Sequence, residues 1–201
     1  MKRISTLMIA SIALVAASCS STDEATEDGT VVESVTYTLD ADASSMDWRG
    51  AENDEHFHTG TIKFSEGSLV MNGEELESGS FKVDMSSISV TTEGLPEEKV
   101  GYLLGHLGNE DFFNTESNPV VDVTLGAYAD GKLDITLNVL GQEVKSNVAV
   151  EISTTDAGAT MTGDFEVDFA ALNLPGFQPD PESGSAISSA IQFKLNLALT
   201  K

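Results

Sequence analysis

From Val35 to the C-terminus, apolar and polar residues alternate with a period of two. Leu133, Ile135, Leu137 and Val139 alternate with Lys132, Asp134, Thr136 and Asn138. After a turn at Leu140-Gly141-Gln142, Val144, Val148, Val150 and Ile152 alternate with Lys145, Asn147, Ala149 and Glu151, with Ser146 interrupting the apolar face. This predicts a hairpin with one dry and one wet face. The same pattern marks Met161, Phe165, Val167 and Phe169, then Ile191, Phe193, Leu195, Leu197 and Leu199, and a shorter run, Val121, Val123 and Leu125, after Pro119. Asn72-Gly73 and Asp130-Gly131 are hairpin turn signals, because both residues of each pair tolerate positive φ.

One strand breaks its own alternation. Phe81, Val83 and Met85 share a phase, and Ile88 and Val90 take the other, so a β-bulge is predicted at Ser86-Ser87. Only one segment has helical spacing. Val100, Leu103, Leu104 and Leu107 form a single stripe after Pro96, and Glu97 and Glu98 suit a first turn, which predicts a short helix over 97–107. Residues 170–188 hold prolines and glycines without a period and read as a long loop. The fold class is all-β. A sheet with one dry face must close on itself or pack on another sheet, and the pattern alone leaves barrel and sandwich open.

The N-terminus is of a different kind. Lys2 and Arg3 precede an apolar run from Ile4 to Val15, and Ala16-Ala17-Ser18-Cys19 follows. This is the layout of a secretory signal peptide, and its apolar run is short for a stable membrane span. Small-small-Cys resembles the lipobox of bacterial lipoproteins, although Ala16 stands where Leu, Val or Ile is commoner. The resemblance implies cleavage after residue 18 and acylation of Cys19, attaching the protein to a membrane. Residues 19–34 are small, polar and acidic and read as a flexible tether to a domain spanning 35–201. Ser20 is not the Asp that can mark inner-membrane retention. The expected location is therefore the bacterial cell envelope, at the outer membrane, on its periplasmic face or exported to the surface.

Residues 1–18 carry two basic and no acidic groups, so the remaining 183 residues have 8 basic against 33 acidic side chains, a net charge of −25. That surface repels phosphate backbones and anionic headgroups, which excludes nucleic acid as an expected partner. The chain's only cysteine belongs to the lipobox, so the domain is expected to have neither a disulfide nor a thiol nucleophile.

The segment Gly105-His106-Leu107-Gly108-Asn109-Glu110-Asp111-Phe112-Phe113, followed by Pro119 at the next strand, resembles the YceI-like family of bacterial lipid-binding proteins. Further matches follow in order. Tyr37-Thr38-Leu39-Asp40 and Met46-Asp47-Trp48 look like the family's opening strands. Ser80 to Ile88 looks like its long bulged strand, and Leu133 to Leu137 with Gly141 to Val144 looks like its central hairpin. The likeness covers about residues 35–200. Asp168-Phe169-Ala170 departs from an Arg-Asp-Phe-Gly-like turn found in many members. The resemblance implies an eight-stranded antiparallel barrel of lipocalin type, with an apolar interior holding a long amphiphile such as a prenylated quinone or alcohol. A barrel of about eight strands has an interior just large enough for its own side chains or one ligand.

Candidate ligand-binding residues are Trp48, Phe57, Phe64, Phe81, His106, Phe112, Phe113, Phe165 and Phe193. Each aromatic could equally fill a dry core. Phe112 and Phe113 cannot share one strand face, so one is expected to plug the barrel mouth and the other to pack under the helix. His106 is read either as a headgroup contact or as a structural hydrogen bond beneath the helix. His56 and His58 share a strand face, with Glu52, Asp54 and Glu55 nearby. They read as solvated strand-end residues, and no metal or cofactor is expected. No nucleophile elbow, phosphate loop or zinc-protease motif is present, so no catalytic residue is assigned. The expected function is binding of an apolar amphiphile with a neutral headgroup, for carriage or sequestration. The alternatives are a filled barrel serving as a protein-interaction module, and a lipid-modifying enzyme.

Overall fold

The computed structural model describes residues 33–182 and 184–201. The signal peptide, Cys19 and all but the last residues of the tether lie outside them. Nine antiparallel strands and one helix follow in chain order: β1 (Val35–Ala51), β2 (Phe57–Asn72), β3 (Glu75–Val90), α1 (Glu97–Gly108), β4 (Val120–Ala129), β5 (Lys132–Val139), β6 (Gln142–Ala149), β7 (Glu151–Thr154), β8 (Gly158–Asp168) and β9 (Ala190–Thr200). Their order in the sheet is β6-β5-β4-β3-β2-β1-β9-β8-β7. The two ends of this order are neighbours in sequence, separated only by Val150. One stretch of chain therefore pairs with β5 through β6 and with β8 through β7, bringing the sheet nearly to closure as a barrel.

The partner switch explains why nine strands stand where eight are expected. The alternation from Val144 to Ile152 reads as one strand, but its ladder breaks at Val150, whose N–H donates to Gly131 instead. Gly163 on β8 makes the close approach possible, since a Cβ there would strike the carbonyl oxygen of Ala149.

The long strands are bent by several register breaks, and two of them are bulges held by serine side chains. The predicted one is present, as the β2–β3 register slips between Thr61/Ser89 and Lys63/Asp84. Asp84 accepts the Ser86 N–H at 2.9 Å, and the Ser87 hydroxyl donates to the Asp84 carbonyl at 2.6 Å. Ser87 Oγ also accepts the Lys63 N–H at 2.8 Å, so a side chain replaces the acceptor that the bulge removed from the ladder. An unpredicted bulge in β1 uses the same device. Ser44 Oγ donates to the Asp40 carbonyl and accepts the Ala198 N–H at 3.0 Å.

The barrel interior is divided. At the end holding the start of β1 and the end of β9, Leu69, Leu133 and Leu197 are essentially inaccessible, packed with Tyr37, Met71, Met161 and Leu199. That end is filled by its own side chains. The other end carries α1 and the loop 52–56, and there the interior is hollow.

Candidate functional site: an apolar cavity under the helix

The hollow end holds a cavity of about 440 Å³, within the range usual for ligand pockets. Strand alternation supplies its lower wall. Met46 on β1, Ile62 on β2, Val83 and Met85 on β3, Val121 on β4, and Leu137 and Val139 on β5 all point inward. Ile88 lines the cavity too, despite its opposite phase, because the bulge returns it to the inner face. Leu103, His106 and Leu107 of α1 form a roof. No residue of α1 is fully buried, so the helix covers the opening without entering the core.

An aromatic belt runs around the rim. His106 meets Phe112 edge-on at 5.0 Å between ring centres, and Phe112 meets Phe177 at 5.3 Å. Phe113 packs on Phe169 at 6.1 Å, and Phe169 on Phe193 at 6.5 Å. Edge-on pairs of this kind each contribute roughly 0.5–1.5 kcal/mol beyond simple burial. The turn after α1 places the first two phenylalanines. Asn109 Oδ1 accepts the Asp111 N–H at 2.8 Å, the Phe113 N–H returns to the Leu107 carbonyl, and Asn114 takes a left-handed φ of 41°. Both phenylalanines line the cavity, with Phe112 buried and Phe113 half-buried.

Six of the nine sequence candidates meet here: Trp48, Phe57, His106, Phe112, Phe113 and Phe193. His106 also takes the structural contact, its Nε2 lying 3.4 Å from Asp111 Oδ2. Phe165 does not line the cavity; its ring packs on Phe193, centres 5.9 Å apart and planes tilted by 36°. Phe64 and Phe81 are buried in the layer beneath the cavity and do not line it. Sequence reasoning missed Phe169, Phe177 and the two methionines. Phe169 was signalled by the β8 alternation, which it continues. Phe177 sits in the aperiodic loop, as the last residue of a single turn, 175–177, where no pattern marks it.

Polar groups gather at the mouth. Glu52, Glu55, His56 and His58 border it, and no lysine or arginine lines the cavity among the described residues. Lys63, Lys82, Lys132, Lys145 and Lys194 are all exposed on the outer faces, as alternation predicts. Arg49 lies with its guanidinium 4.4 Å from the Phe57 ring centre and 4.0 Å from Asp54. His56 and His58 diverge, the first toward Asn53 and the second toward Thr92. Among the described residues no three metal-ligating side chains converge. One polar atom stands apart. Trp48 Nε1 is buried and has no hydrogen-bond partner, and it is the only such side-chain atom among the described residues. Buried donors are nearly always satisfied, so this N–H is an exception within the wall.

Asp168 fastens the loop that carries Phe169. It accepts the Ser189 hydroxyl at 2.7 Å and the Ala170 N–H at 2.8 Å, and these bonds hold its carboxyl below the ordinary aspartate value of 3.8. A lowered folded-state pKa stabilises the fold above the ordinary value, and the contribution is lost as pH falls through the lowered one. Asp168→Asn should therefore lower the thermal midpoint modestly at neutral pH and match the wild type in strong acid. A constant offset across that range in thermal unfolding would contradict this role.

A family model described as a YceI-like domain matches residues 37–199. Among solved structures, Burkholderia cenocepacia BcnA superposes with a TM-score of 0.61 at 17% identity, over 81% of this chain and 99% of that one. A polyisoprenoid-binding domain from Saccharophagus degradans, implicated in plant cell wall breakdown, superposes with a TM-score of 0.56 at 16% identity, over 82% of this chain and 97% of that one. At these identities the likeness speaks to the fold. No curated protein matches the chain.

Proposed function

The chain belongs to the YceI-like domain family, and from that premise we propose that it binds a polyisoprenoid-type amphiphile in the cavity beneath α1, as a lipoprotein of the bacterial envelope. The single observation that carries this is the cavity, apolar on its lower wall, ringed by aromatics and closed below by a packed core. Each methylene moved from water into such a site contributes roughly 0.8 kcal/mol, so a prenyl chain binds without a specific polar contact. The polyisoprenoid-binding neighbour supports the same ligand class. Organic extraction of the purified domain, followed by mass spectrometry, tests it. A near-stoichiometric isoprenoid is expected. Protein that carries none, and takes up none when offered quinones or prenyl alcohols, would refute the carrier reading.

The headgroup is neutral in this proposal. A pyrophosphate requires arginine, lysine or a free helix N-terminus. The cavity wall lacks those cations, and Glu97 and Glu98 already occupy the first turn of α1. An unpaired dianion here would also meet a mature chain of net charge −25. In competition at physiological salt, a prenyl alcohol or quinone is expected to outcompete the matching prenyl pyrophosphate by about tenfold or more. The reverse order would sink this part alone.

Anchoring rests on Cys19. No helix among the described residues is long and apolar enough to cross a membrane. Acyl chains on Cys19 supply attachment that the acidic surface does not, and Cys19→Ala should move the protein out of the membrane fraction or leave it unprocessed.

A further inference from the structure

Directly beneath the cavity lies a layer of buried residues that do not line it. On four strands it comes two residues beyond the last lining position: Phe64 follows Ile62 on β2, Phe81 precedes Val83 on β3, Ile135 precedes Leu137 on β5, and Leu195 follows Phe193 on β9. All four are buried. The two phenylalanines meet edge-on, with ring centres 5.8 Å apart and planes at 69°. Gly67, the register partner of Phe81, leaves room for the phenyl ring, since a Cβ there would fall on it. Below this pair come Leu69, Leu125 and Leu133.

We propose that Phe81, set edge-on against Phe64 over the space left by Gly67, is the floor that limits how long a prenyl chain the cavity accepts. This rests on the isoprenoid reading above. A chain shorter than the cavity gains with each added methylene. Beyond the depth of the floor, additional units remain in water at the mouth and add little. Phe81 is a specificity-determining residue in this account, acting by shape alone.

The test uses the purified domain and farnesol, geranylgeraniol and solanesol, prenyl alcohols of increasing length. Fluorescence of Trp48 reports binding, because it is the chain's only tryptophan and lies on the cavity wall. In the wild type, affinity is expected to level off, with solanesol within about twofold of geranylgeraniol. Phe81→Ala should tighten solanesol by about tenfold and leave farnesol within about twofold. A folded Phe81→Ala with an unchanged length profile overturns the proposal, as does wild-type affinity that still climbs about tenfold at solanesol. Should Phe81→Ala fail to fold, Val83→Phe tests the same idea from above by filling cavity space. It should weaken geranylgeraniol by about tenfold while farnesol loses less, and an unchanged profile again overturns the floor. If the wild type binds none of the three alcohols, the isoprenoid reading falls and the floor falls with it. That flat result is distinct from binding without a length limit, which removes the floor alone.

Discussion

Val121→Trp should lower affinity for the bound amphiphile by about a hundredfold and leave the barrel folded. Val121 is buried on β4 and faces the cavity. Small-to-large changes in a packed core usually cost roughly 1–3 kcal/mol, because neighbours must move. Here the added indole has space of about 440 Å³ beside it and removes a void that the protein otherwise maintains. It also occupies the volume of several ligand carbons. Displacing about four methylenes forfeits roughly 3 kcal/mol, which is close to a hundredfold. Titration with a prenyl alcohol by equilibrium dialysis reads the loss, and thermal unfolding reads the fold. Full retention of binding by a folded Val121→Trp would show that the ligand lies somewhere other than this cavity.

Much of the barrel is legible in the sequence because alternation is a local signal. Each strand facing water on one side and core on the other must write its face at period two. The bulge at Ser86-Ser87 is readable for the same reason, since an extra residue visibly shifts the phase from Met85 to Ile88. The β1 bulge is silent, because Asp42, Ala43 and Ser44 belong to a run of small and polar residues with no apolar phase to break. The strand count is obscured at Val150, where the chain changes partners while keeping its alternation.

The candidate site divides along the same line. Phe112 and Phe113 are found through a motif whose turn is built from adjacent residues. Phe64 and Phe81 have the same inward phase as Ile62 and Val83, and nothing in a two-residue period tells the cavity wall from the layer below it. That distinction depends on depth along the barrel axis, which follows from how nine strands are staggered. Phe177 enters from a loop whose position depends on long-range contacts, including its packing on Phe112. The question of a filled or a hollow interior has a similar answer. Leucines dominate the packed end and a ring of phenylalanines borders the open one, so the core is filled in one half and hollow in the other.

Gly60→Ala, at the strand partner of the cavity-lining Trp48, is expected to be a severely damaging single-methyl change, costing on the order of 3 kcal/mol or more. Gly60 pairs with Trp48 across β1 and β2 and with Val90 on β3. A Cβ at this position would land on the carbonyl oxygen of Ser89 and on Cε2 and Cζ2 of Trp48. The carbonyl belongs to a neighbouring strand and cannot yield without breaking ladder pairing, and the indole is confined by its own place on the wall. The new methyl must therefore displace either the β2–β3 register or the tryptophan. Gly101→Ala on α1 is the control. Nothing lies within reach of a Cβ there, and replacing a helical glycine is expected to be neutral or to stabilise by roughly 0.4–1 kcal/mol. Thermal unfolding should show Gly60→Ala falling by roughly 6–12 °C while Gly101→Ala holds or rises. The emission of Trp48 should shift in Gly60→Ala alone. If Gly60→Ala unfolds with the wild type and its tryptophan emission is unchanged, the indole does not occupy the space above Gly60.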